Sequence, residues 1–130
     1  MKIQSEIEVM DDLRNALERE KSIVFAYLFG SHARQEQTDL SDIDIAIYTV
    51  NPMDLNDRLG IIQRLSKATA MENIDITFLN SLENLILLCR IIEEGIVLVD
   101  RDPDSRDYFE VMSHHKYLDF RYQRELFLGA

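Results

Sequence analysis

Apolar positions along the chain follow two rhythms, one with the repeat of a helix and one with the repeat of a strand. Ile3, Ile7, Met10, Leu13 and Leu17 recur at steps of 4, 3, 3 and 4, which places them on one stripe of an amphipathic helix. Ile23 to Phe29 is β-branched and aromatic and stops at Gly30-Ser31, a strand that runs into a tight turn. His32 to Ser41 is polar, a loop with room for one helical turn. Ile43, Ile45 and Ile47 then alternate with Asp42, Asp44, Ala46 and Tyr48, the period of a second strand, which Asn51-Pro52 ends. Leu55, Leu59, Ile62 and Leu65 mark a second amphipathic helix, and Ile74, Ile76 and Phe78 alternate with Asn73, Asp75 and Thr77 in a third strand. Leu82 to Glu94 predicts a helix apolar on most faces, deeply packed or covered by a partner, with Gly95 as its C-cap. Ile96 to Val99 is a short fourth strand, and after Pro103 a last helix runs to about Phe127 with Tyr108, Val111, His115, Leu118 and Tyr122 on one stripe. The order αβ(α)βαβαβα predicts one α/β layer structure spanning residues 1–130, with no repeat or linker.

Composition narrows the class. Hydrophobic residues at 46% and charged residues at 29% are ordinary for a globular domain, and a chain of 130 residues buries enough surface to fold without staples. The formal charge of −10, from 24 acidic and 14 basic residues, runs against a phosphate-binding nucleic-acid surface. Cys89 is the only cysteine and sits in an apolar stretch, so it reads as a buried small hydrophobe. The N-terminus lacks a signal-peptide core, and no stretch approaches the ~20 apolar residues of a membrane span, so the chain is expected to be cytoplasmic.

The candidate chemistry is a set of carboxylates beside a glycine turn. Asp42 and Asp44 stand two apart on a strand, so their side chains leave one face while the isoleucines enter the core. If the first two strands pair antiparallel, the Gly30 turn comes to lie beside these carboxylates. If the third strand lies beside the second, Asp75 joins the same patch. Like charges on neighbouring strands oppose pairing unless a cation neutralises them. Hard oxygen ligands suit Mg²⁺, which binds one or two carboxylates together with substrate phosphates. Two such ions about 3.5–4 Å apart serve in-line displacement at phosphorus. The glycine lets backbone amides approach a phosphate, and Ser31 adds a hydroxyl.

Gly30-Ser31, ten intervening residues and Asp42-Ile43-Asp44 resemble the signature of the polymerase-β-like nucleotidyltransferases, and FGSHAR…SDIDIAI resembles their minimal nucleotidyltransferase (MNT) branch. Val99-Asp100-Arg101-Asp102-Pro103, followed by Arg106 and Phe109, is similar to MNT antitoxins paired with HEPN-type ribonuclease toxins. The resemblance implies the polymerase-β-like fold, a mixed sheet of about four strands flanked by helices. It implies that Asp42 and Asp44 hold two Mg²⁺ ions and that Asp75 completes the site and helps activate the attacking hydroxyl. Gly30 and Ser31 would bind the triphosphate of ATP, with Arg34 and Ser41 also assigned to the nucleotide. Gln35 departs from the glycine that many relatives carry there, which bears on the shape of the loop.

The resemblance further implies transfer of AMP from ATP to a tyrosine of a HEPN-type toxin, which the modification silences. The apolar Leu82 to Ile92 segment and the aromatic tail (Tyr117, Phe120, Tyr122, Phe127) offer surface for such a partner, or for a homo-oligomer. Transfer to a small hydroxylated molecule, and neutralisation by binding alone, remain open at this stage. His32, His114 and His115 read as loop or helix-surface residues, and Arg64 and Lys67 as solvated surface.

Overall fold

Strand β1 (Ile23–Phe29) is almost wholly buried and forms the middle of the molecule. In the computed structural model, which describes residues 6–30, 33, 42–70 and 73–128, it is flanked on one side by β2 (Ile43–Thr49) and on the other by β4 (Ile96–Asp100), both antiparallel. Strand β3 (Ile74–Phe78) runs parallel to β2 on its outer side, so the sheet is mixed, in the order β3-β2-β1-β4. Helices α1 (Glu6–Glu18), α2 (Leu55–Thr69), α3 (Leu85–Glu94) and α4 (Pro103–Phe127) complete the fold.

Alternation on the strands sorts the side chains into two cores. Ile43, Ile45 and Ile47 of β2 pack with Leu13 and Leu17 of α1 and with Ile61 and Leu65 of α2. On the other face Phe25, Tyr27, Phe29 and Ala46 pack with Leu88 and Ile91 of α3. A bulge between Ile23 and Phe25 reverses the alternation once. Ile23 therefore shares a face with Ala26 and Leu28 rather than with Phe25. Phe25 stacks on Tyr48, with ring centroids 4.7 Å apart, and Phe109 of α4 leans on both rings. At the far end of β2, Asn80 in a 3-10 turn (Leu79–Ser81) accepts from the Thr49 backbone N–H and donates to its carbonyl, both at 2.9 Å. That side chain extends the sheet where β3 has ended.

Two helix readings change, and α4 gains an orientation that the sequence left open. In α2 the buried positions are Ile61, Leu65 and Thr69, whereas Leu55 and Leu59 are 70% and 52% exposed. The apolar stripe thus sits part of a turn away from the face that packs. Helix α3 begins at Leu85, because Asn84 caps it by accepting from Leu87 N, and its Ile86 faces outward. Its C-cap Gly95 is extended, with φ −70°, so left-handed freedom is not what it supplies. A Cβ there would lie 3.2 Å from the Tyr27 Cβ and would strike the Ile91 carbonyl, so close packing excludes a side chain. In α4 the stripe of Tyr108, Val111, His115, Leu118 and Tyr122 is exposed throughout.

Polar groups instead fasten α4 and its approach. Asp102 caps the helix by accepting from Ser105 N at 3.2 Å, and Pro103 follows in the first turn. Arg106 donates to Asp100 Oδ2 and Glu110 Oε1, both at 2.7 Å, and the Tyr27 hydroxyl donates to the same Glu110 oxygen at 2.9 Å. Burial and this acidic neighbour push the Tyr27 phenol well above its usual range. Arg101 donates to the Glu20 and Ile23 carbonyls at 2.9 and 3.1 Å and to that of Glu18, tying the end of β4 to the end of α1.

Arg106 and its two carboxylate partners are each about four-fifths covered, and Asp100 Oδ1 is buried without a hydrogen-bond partner among the described residues. Removing the guanidinium leaves two buried acids facing each other. Arg106→Ala is expected to cost about 2 kcal/mol, after allowance for partial exposure, and to lower the melting temperature by roughly 5–10 °C. Arg121→Ala, which breaks the solvated pair with Glu125, is the control and is expected to change stability by less than about 0.5 kcal/mol. Thermal melts of the two variants read the difference.

Candidate active site

The turn that ends β1 is built around Gly30, whose φ of +74° lies in the left-handed region that an L side chain resists. A Cβ at this position would collide with the Asp44 carboxylate, striking Oδ2 and lying 3.2 Å from Cγ. The backbone of the turn therefore rests directly against Asp44. The antiparallel register explains this contact, since Phe29, the last residue of β1, is the partner of Asp44.

On its other side Asp44 is paired in register with Asp75 of β3, just as Ile43 is paired with Ile74. The Ile43 N–H donates to the Asn73 carbonyl at 2.7 Å and joins the two strands at their start. Partners on adjacent strands are about 4.8 Å apart and project to the same face. Asp44 and Asp75 thus leave the face that also carries Ala46 and Tyr48, at the end of the sheet where the Gly30 turn lies. Asp42 immediately precedes β2 and is exposed, as is Asp75, while Asp44 is half-buried. Ser31, Arg34 and Ser41, and with them His32, lie outside the described residues.

Two carboxylates in direct register repel, and on a sheet such a pair costs a few tenths of a kcal/mol to about 1 kcal/mol. The strand register fixes where their Cα atoms stand; rotation about χ1 and χ2 decides where the oxygens point. Among the described residues no three His, Cys, Asp or Glu side chains stand together as a ready-made metal cluster. The donors near Gly30 are hard oxygens, the ligand type that divalent magnesium prefers, and the absence of a Cβ at Gly30 lets the Asp44 carboxylate lie directly against the turn. The residues present are thus chemically suited to a magnesium–triphosphate group.

The other candidates are placed elsewhere. His114 and His115 are exposed on α4, and Cys89 is buried in α3. Arg64 forms a forked pair with Glu20 at 2.8–3.1 Å, a surface tie between α2 and the turn after α1. No helix among the described residues is long and apolar enough to cross a membrane. Sequence reasoning gave no sign of the trough that opens between α4 and the end of β2, because its walls come from three separate segments.

Comparison with known proteins bears on the family and the fold. Residues 11–104 match the family described as Polymerase beta, Nucleotidyltransferase. MJ0126 of Methanocaldococcus jannaschii, which carries the name protein adenylyltransferase, is 32% identical over 100 residues, covering 76% of this chain and all of its own length. Among solved structures, a toxin–antitoxin crystallised with AMP-PNP superposes with a TM-score of 0.78 at 23% identity, over 92% of this chain and 95% of its own. A Shewanella oneidensis complex of tri-AMPylated HEPN toxin with MNT antitoxin gives a TM-score of 0.73 at 20% identity, over 96% and 97% of the two chains. The solved structures share the fold, and the family profile spans most of the chain, so the protein belongs to the polymerase beta nucleotidyltransferase family.

Proposed function

We propose that the chain is a cytoplasmic protein adenylyltransferase and antitoxin, which moves AMP from ATP to a tyrosine of a HEPN-type toxin and so silences it. The observation that carries this reading is the position of Asp44, pressed against the Gly30 turn on one side and in register with Asp75 on the other. Support for the acceptor comes from the relatives. One is named a protein adenylyltransferase, and an antitoxin of the same fold has been crystallised with an AMPylated HEPN toxin. The acidic balance of the chain favours a protein acceptor over a nucleic acid.

In this reading Asp42, Asp44 and Asp75 would hold two Mg²⁺ ions. Bound there, the metal would neutralise the triphosphate and the charge that develops on the entering and departing oxygens. Gly30 places backbone against the phosphates, and Ser31, Arg34 and Ser41 complete the grip on the nucleotide. Asp75 takes the proton of the acceptor hydroxyl as its oxygen bonds to the α-phosphorus. The bond from that phosphorus to the bridging oxygen breaks, and pyrophosphate leaves. A phenol titrates near pH 10, so at neutral pH a carboxylate poised beside it lowers the barrier by accepting its proton during attack.

The test is incubation with isotopically labelled ATP, magnesium and the protein encoded beside this one, followed by intact-mass and peptide analysis. AMP on a tyrosine of that protein is the expected result. Unmodified neighbour protein, under conditions in which a small hydroxylated acceptor is adenylylated, contradicts it.

A further inference from the structure

Helix α4 is apolar on the side it does not pack by. It lies on the body through Phe109, Ser113 and the half-buried Arg106, Glu110 and Tyr117. Tyr108, Val111, Met112, Leu118, Tyr122 and Leu126 form a stripe on the opposite side and are 40–69% exposed. Against the first half of this stripe lies a trough of about 840 Å³, walled by α4, by the segment leading into α3 and by the end of β2. Tyr48, Leu82, Tyr108 and Met112 give it apolar walls, and Asp102, Asp104 and Lys116 supply its charged groups.

Three observations select the occupant. The trough has two carboxylates to one ammonium on a chain of net charge −10, which opposes a phosphate-bearing ligand and favours a cationic one. Apolar residues continue past the trough along α4 as far as Leu126, further than a small molecule could cover, and exposed apolar surface of this extent marks protein contact. The trough also opens on the sheet face that carries Asp44. Tyr48 follows Asp44 by four residues on the same face, a separation of about 13 Å along the strand.

We propose that this trough and the stripe beside it dock the acceptor protein, through an apolar segment that carries at least one Lys or Arg, while the acceptor hydroxyl reaches Asp44 and Asp75 at the other end of the sheet. The proposal rests on the reading that the acceptor is a protein. Docking at this remove supplies binding that does not depend on the reacting group, so it acts on acceptor affinity and leaves the chemical step alone. Val50, 63% exposed at the end of β2, extends the apolar floor toward the stripe.

The test is steady-state AMP transfer to the unmodified protein encoded beside this one, with wild type and with Asp104→Lys, Tyr108→Ser and the double variant. Asp104 and Tyr108 are exposed, so the variants are expected to fold, and melting curves check this. The double variant is expected to raise the KM for the acceptor protein at least tenfold with kcat within twofold. Its KM for ATP should be unchanged, and the wild-type KM for the acceptor should rise with salt. Wild-type transfer accompanied by an unaltered acceptor KM in the double variant overturns the docking surface and leaves the enzyme reading intact. Wild-type failure to modify any protein removes the enzyme reading and the docking proposal together. A wild-type dimer that the double variant dissociates, with acceptor KM unchanged, assigns the stripe to a second copy and overturns the proposal.

Discussion

Asp42→Asn combined with Asp44→Asn is expected to abolish nucleotide transfer and to leave the fold intact. Both substitutions keep side-chain shape and remove negative charge from a patch where Asp44 already stands in register with Asp75. Relief of that repulsion makes the variant as stable as the wild type or slightly more so. Activity moves the other way, because charge compensation at a reacting phosphate is worth several kcal/mol, and a loss of about 4 kcal/mol is roughly a thousandfold in rate. The two readouts, melting temperature and labelled AMP transfer, separate a spent site from a collapsed one. A folded variant that retains transfer would place the chemistry elsewhere.

Gly30→Ala is expected to be severe for a different reason. The methyl group carries two costs: a left-handed φ of +74°, at about 1–2 kcal/mol, and a collision with the Asp44 carboxylate. The strain should appear as a melting temperature lower by several degrees, roughly 4–8 °C. The collision must be relieved by turning or moving Asp44, and displacement of a reacting group by about 1 Å is enough to cost a hundredfold. A loss of AMP transfer of about a hundredfold or more, well beyond what the stability change explains, is therefore expected. Near-normal transfer by a folded Gly30→Ala protein would mean that the turn takes no part in holding the triphosphate.

Strands β2 and β3 are legible in the sequence because isoleucine carries each signal. Isoleucines at 43, 45 and 47 and at 74 and 76 alternate with polar neighbours, and every one of them faces the α1–α2 side or packs against that core. The same alternation set Asp44 and Asp75 on the opposite face before any pairing was known. Pairing itself was conditional: the sequence contains no term that aligns Asp44 with Asp75 rather than with a neighbour, and the register comes from the Ile43–Asn73 hydrogen bond and the fit of the isoleucine rows. The place of β4 beside β1 was likewise not readable, because a short apolar strand gives no indication of its partner.

Helix orientation was the weaker inference. In α4 the sequence marks an apolar stripe but not the packing face, which is held by Arg106, Glu110 and Tyr27 and by aromatic contact through Phe109. Periodicity counts apolar residues and is blind to a buried polar network. In α2 the stripe is misplaced by part of a turn, since Leu55 and Leu59 are apolar yet stand exposed at the start of the helix. The outward stripe of α4 is the exposed surface on which the docking proposal rests. The resemblance in the Asp100 to Phe109 segment had marked Arg106 and Phe109 without a role. The structure assigns both to seating α4 on the sheet.

A crystal structure of the chain grown with Mn²⁺ and a non-hydrolysable ATP analogue tests the central claim most directly, because manganese stands in for magnesium and is visible by anomalous scattering. Anomalous peaks are expected among Asp42, Asp44 and Asp75, with the triphosphate lying over the Gly30 turn. Manganese and nucleotide bound elsewhere, with Asp75 turned from Asp44, would contradict it.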